Sequence, residues 1–70
     1  MDSDTMEYKG FVIHVFCEMI EDGSYTASCE IWEDAAVVHD ARSIGRNSAT
    51  AADAKAAAYG WARQWIDSNP

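Results

Sequence analysis

Seventy residues carry 12 acidic against 5 basic side chains, a formal net charge of −7, and that length holds one domain only. Hydrophobic residues make up 49% of the chain, but 12 of them are alanines; the larger ones suffice for one two-layer core and leave no room for a deep substrate cleft. Residues 1–40 set Lys9 against ten carboxylates, whereas residues 41–70 set Arg42, Arg46, Lys55 and Arg63 against Asp53 and Asp67, a field that repels a phosphate backbone or an anionic membrane surface.

Met1 to Met6 are polar and acidic and are expected to fray. From Tyr8 the chain turns strand-like, and Phe11 to Ile20 is rich in β-branched and aromatic residues. After Glu21-Asp22-Gly23, a second run from Ser24 to Trp32 alternates Tyr25, Ala27, Cys29 and Ile31 with Thr26, Ser28, Glu30 and Trp32. A two-residue Asp-Gly turn would set Val15 opposite Glu30 and mix polar with apolar side chains on both faces. A three-residue loop with Gly23 in the left-handed region shifts the pairing by one residue and so exchanges faces. Ile13 then meets Ile31, Val15 meets Cys29, Cys17 meets Ala27 and Met19 meets Tyr25. On the other face Val12 meets Trp32, His14 meets Glu30, Phe16 meets Ser28 and Glu18 meets Thr26. Both faces become chemically coherent, so this register is expected.

Glu33-Asp34-Ala35-Ala36 reads as a turn, and Val37 to about Ile44 as a shorter third strand, ended by Gly45-Arg46-Asn47. Thr50-Ala-Ala-Asp53 resembles a capping box, with Ser48 as a rival cap. The alanine-rich sequence beyond it predicts a helix over about 49–67, stopped by Ser-Asn-Pro. At 100° per residue Ala51, Ala54, Ala58, Trp61, Ala62 and Trp65 share one stripe with Ile66 on its flank, which predicts that the two tryptophans dock on Ile13 and Ile31. The expected fold is α+β: a three-stranded antiparallel sheet (β-β-β) with one C-terminal helix on one face.

Few residues offer chemistry. His14, Cys17, Cys29 and His39 are the soft metal ligands, and only His14 and Cys17 are close in sequence; in a strand that spacing points them to opposite faces. They read as core thiols and surface histidines, and no metal or cofactor is expected. Cys17 and Cys29 lie diagonally in the expected register, which suits two buried thiols rather than a disulfide. His14 opposite Glu30 has the form of an acid–base pair, yet an open sheet face supplies neither nucleophile nor cleft. Glu30, Glu33, Asp34 and Asp40 fit no calcium loop and read as a solvated rim.

The second sheet face says more. With one helix on one side, Tyr8, Val12, His14, Phe16, Glu30 and Trp32 are left as a contiguous open patch, the kind of surface that marks interfaces. Aromatics on a sheet also suit RNA stacking, but the acidic surround argues against it. The expected function is therefore a non-enzymatic protein-interaction module. Its partner would be itself, as a homodimer, or another protein, with a basic one left open by the charge; nucleic acid and membrane are not expected. With two cysteines, no signal-like start and no apolar run near the ~20 residues that span a bilayer, a cytoplasmic location is expected.

Asp22-Gly23-Ser24-Tyr25-Thr26-Ala27 resembles the D-G-x-Y-x-A turn of HicB-like antitoxin domains, and Gly45 followed by Thr50-Ala-Ala-Asp53-Ala54 resembles their helix start. The resemblance covers roughly residues 8–67. It implies a β-β-β-α architecture related to double-stranded-RNA-binding-like folds, and a role in masking a small basic ribonuclease. Two features depart from that family. Glu33-Asp34-Ala35-Ala36 stands where a proline- and glycine-containing segment is usual, and no DNA-binding segment follows the helix. The segment 58–67 also resembles the ending of small uncharacterised bacterial proteins.

Overall fold

Two-residue turns at Lys9-Gly10 and Asp34-Ala35, with a three-residue loop between them, fold residues 2–41 back and forth into one antiparallel sheet. The structure, a computed structural model, describes residues 2–69; Met1 and Pro70, part of the expected frayed start and of the Ser-Asn-Pro stop, lie outside the described residues. Strands β1 (Asp2–Tyr8), β2 (Phe11–Met19), β3 (Tyr25–Glu33) and β4 (Ala36–Ala41) lie side by side in chain order, and helix α1 (Ala51–Ser68) closes the chain.

The sheet thus has four strands, not three. Residues 2–6 belong to a strand paired along its length with β2, Met6 opposite Ile13 and Tyr8 opposite Phe11. Lys9 (φ 51°) and Gly10 (φ 86°) both take the left-handed region that a two-residue type I′ hairpin demands. The polar composition of β1 hides it as a strand, because it is an edge with one solvated face.

The β2–β3 register is the expected one at every pair from Val12–Trp32 to Met19–Tyr25. Gly23 sits at φ 84°, and its N–H donates to the Ile20 carbonyl at 2.9 Å. Asp22 Oδ1 accepts from the Ser24 amide (2.9 Å) and hydroxyl (2.6 Å), which holds the Asp22 carboxyl below its ordinary range and fixes the loop.

β4 is shorter than expected. It ends at Ala41, and the chain then runs irregularly beside β3: the Ile44 amide donates to the Ala27 carbonyl, and Ser48 exchanges two backbone bonds with Tyr25. Ile44 is buried as a plug at that end of the core. A register shift between Ile31 and Trp32 makes Val38 the extra residue of a bulge.

Thr50 is the helix cap, its hydroxyl accepting from the Asp53 amide at 3.1 Å, and Asn69 closes the other end by donating from Nδ2 to the Trp65 carbonyl at 2.8 Å. The buried stripe is Ala54, Ala58, Ala62 and Ile66. Three alanines at fourfold spacing let the helix lie close over β2 and β3, where Ile13, Val15, Cys17, Ala27, Cys29 and Ile31 complete the core. Ile66, expected on the flank, is therefore central. Trp61 and Trp65, expected on Ile13 and Ile31, are half-buried at the margin, where their indoles lie nearly parallel to the His39 ring of β4.

Candidate functional site: the open sheet face

Strand parity sorts the side chains. In β2 and β3 the odd-numbered residues face the helix and the even-numbered ones face away. Val12, His14, Phe16, Glu30 and Trp32, five of the six residues expected on the open face, lie there together, each half-buried. The His14 ring lies 6.5 Å from Phe16 and 5.3 Å from Trp32, making a row of three rings along the sheet. Glu30, directly across from His14, accepts the indole N–H of Trp32 at 3.1 Å.

Tyr8 does not belong to this face. The Lys9-Gly10 turn pairs it with Phe11, on the helix side, so its parity relative to Val12 is reversed. Its hydroxyl donates to both oxygens of Asp67 on the helix (3.0 and 3.1 Å), and Lys9 Nζ reaches Asp67 at 2.7 Å. The bond from Lys9, followed by that from Tyr8, holds the Asp67 carboxyl below its ordinary range; in turn Asp67 holds the Lys9 ammonium above its own.

The fourth strand adds residues that the sequence did not assign to the site. The β4 bulge sets Asp40 directly opposite Glu30 on the open face, and Phe16, Ser28, Glu30, Asp40 and Arg42 line a hollow of about 170 Å³. Two carboxylates across one strand pair are mutually destabilising. Among the described residues neither of them makes an ion pair, nor does Arg42. Counted across the sheet, the open face carries Glu7, Glu18, Glu30 and Asp40 against Arg42. Val37 and Val38, 46% and 45% exposed, extend its apolar part at the edge. The signal for these residues was the turn at Asp34-Ala35, but the bulge that decides which of them face outward leaves no mark in the local pattern.

Other candidates separate in space. Cys17 and Cys29 are buried free thiols on the helix side, and burial pushes Cys29 up to about 11. His39 is stacked on the tryptophans, at 4.6 Å from Trp65 and 5.5 Å from Trp61, on the opposite side of the sheet from His14. Among the described residues no cluster of three His, Cys, Asp or Glu side chains is placed to hold a metal ion. No helix among them is long and apolar enough to cross a membrane.

No curated protein and no solved structure matches this chain. A family model described as a domain of unknown function (DUF6566) matches residues 1–70, and that match makes no link to the HicB-like domains. With the match running over its whole length, the chain belongs to the DUF6566 family.

Proposed function

We propose that this chain is a non-enzymatic interaction module that binds a protein, another copy of itself included, through the open face of its sheet. One observation carries the reading: the row Phe16–His14–Trp32 lies on the face that the helix does not cover, although rings of that size are ordinarily sequestered. The neighbouring groups support binding rather than turnover. The hollow beside the row is small, about 170 Å³, and the chain's two thiols lie buried on the other side of the sheet.

A photo-crosslinking phenylalanine analogue in place of Phe16 tests the reading in host-cell extract, with the same analogue at exposed Gln64 as the control. Discrete protein adducts from position 16 and none from position 64 are expected, and Phe16→Asp should remove the binding while leaving the circular dichroism spectrum intact. Sedimentation over roughly 10 µM to 1 mM separates self-association from a foreign partner. Absence of adducts from position 16, in a chain that stays monomeric throughout, would overturn the reading.

A further inference from the structure

We propose that the occupant of this face is an arginine-bearing segment of a different, basic protein, with one guanidinium seated in the hollow between Phe16, Glu30 and Asp40. The inference rests on the interaction reading above and gives the partner a chemistry.

Glu30 and Asp40 are fixed opposite each other by the β3–β4 register, with no cation paired to either among the described residues, so the sheet holds an unrelieved pair of like charges beside an aromatic ring. A guanidinium meets both requirements. Its planar fork donates to two carboxylates at once, and its flat face stacks on an aromatic ring. Ammonium is a compact, strongly hydrated point charge and makes less use of Phe16.

Charge also selects against the other occupants. Four carboxylates against one arginine repel nucleic acid. A second copy placed face to face would set this net-acidic surface against itself, because a twofold contact buries the same patch of both copies. Of the chain's other cations, Lys9 and Lys55 are bound to Asp67 and Asp4 on the helix side, Arg63 covers the Tyr59 ring at 4.8 Å, and Arg46 lies exposed in the irregular segment after β4 rather than in a strand of this face. Arg42 lines the hollow itself and acts as a weak resident competitor.

The test titrates the ¹⁵N-labelled full chain with a synthetic peptide of alternating arginine and serine, and in parallel with its lysine counterpart, at about 0.15 M salt. Shifts confined to Phe16, Ser28, Glu30, Asp40 and the Trp32 indole N–H are expected, with binding at least fivefold tighter for the arginine peptide. Asp40→Asn should weaken binding at least fivefold and Arg42→Ala should tighten it, while both variants keep the wild-type spectrum elsewhere. Equal affinity for the two peptides, or shifts spread over every acidic residue and unmoved by Asp40→Asn, would overturn the inference. If that result came with position-16 adducts or self-association through the face, the interaction reading would stand without its arginine; if it came with neither, both would fall.

Discussion

The His39 ring lies 4.6 Å from the Trp65 indole with the two planes 8° apart, and the stack joins β4 to a helix whose backbone lies over the other strands. Stacked rings contribute about 0.5–1.5 kcal/mol beyond their buried area. His39→Ala should therefore lower the stability to denaturant by about 1 kcal/mol. Amide exchange in β4 should quicken while exchange in β1 stays as it was. Equal acceleration of both edge strands would show that the stack does not hold β4 in particular.

At the opposite edge, Asp67 joins α1 to the β1–β2 turn through Lys9 and Tyr8, with Arg63 the further cation near it. Because the folded Asp67 carboxyl lies below its ordinary 3.8, the stability it brings is present above that value and is lost as pH falls through the depressed one. Lys9 lies above its ordinary 10.5, so its part is present below that pH and is lost as pH rises through the raised value. Melting temperatures of wild type and Asp67→Asn should thus differ by a constant amount from about pH 5 to 9 and converge at both extremes. A difference that persists at pH 2 would mean the substitution acts by something other than charge.

The hairpin β2–β3 was legible because its two candidate registers make opposite chemical sense: only one sets Ala27, Cys29 and Ile31 on the same face as Ile13, Val15 and Cys17. β1 was not, since an edge strand with Asp4, Thr5 and Glu7 in it has the composition of a tail, and only the Lys9-Gly10 pair hinted at a turn. That omission carried Tyr8 to the wrong face. On the helix, counting by 100° found the alanine ridge but ranked the stripe by ring size, so the tryptophans took the place that Ile66 holds. Small residues set how close the helix comes, and at that distance an indole fits only at the margin.

The Asp34-Ala35 turn carries strain that glycine would remove. Ala35 adopts φ 65°, where a Cβ crowds its own backbone, and two-residue turns of this kind favour Asp-Gly. Ala35→Gly relieves that crowding but gives the unfolded chain more freedom, leaving a gain of about 0.5–1 kcal/mol. Its neighbour Ala36 begins β4, so Ala36→Gly should lose stability instead. Urea midpoints of the two variants check the sign; matched losses would show that the turn is not strained.

The two thiols report opening of the core. With Cys29 pushed up to about 11 by burial, only about one molecule in a thousand holds its thiolate at pH 8, and the helix shields both sulfurs. Alkylation of the native chain by iodoacetamide should proceed only as fast as the core opens, slowing with any stabilising substitution such as Ala35→Gly. Label uptake in seconds at neutral pH, insensitive to stability, would place a sulfur at the surface.

Glu30 and Asp40 offer a measure of what the open face costs the fold. Directly opposed like charges on one sheet face lose a few tenths to about 1 kcal/mol. Asp40→Asn should return that amount, and the return should shrink in high salt as the repulsion is screened. Glu30→Gln removes the same repulsion but also weakens the charged acceptor of the Trp32 indole N–H, so its gain should be smaller. The double variant should then gain less than the two single gains added together, because either change alone already ends the repulsion. Additive gains would mean that the two carboxylates do not sense each other and that the face holds no charge waiting for a cation.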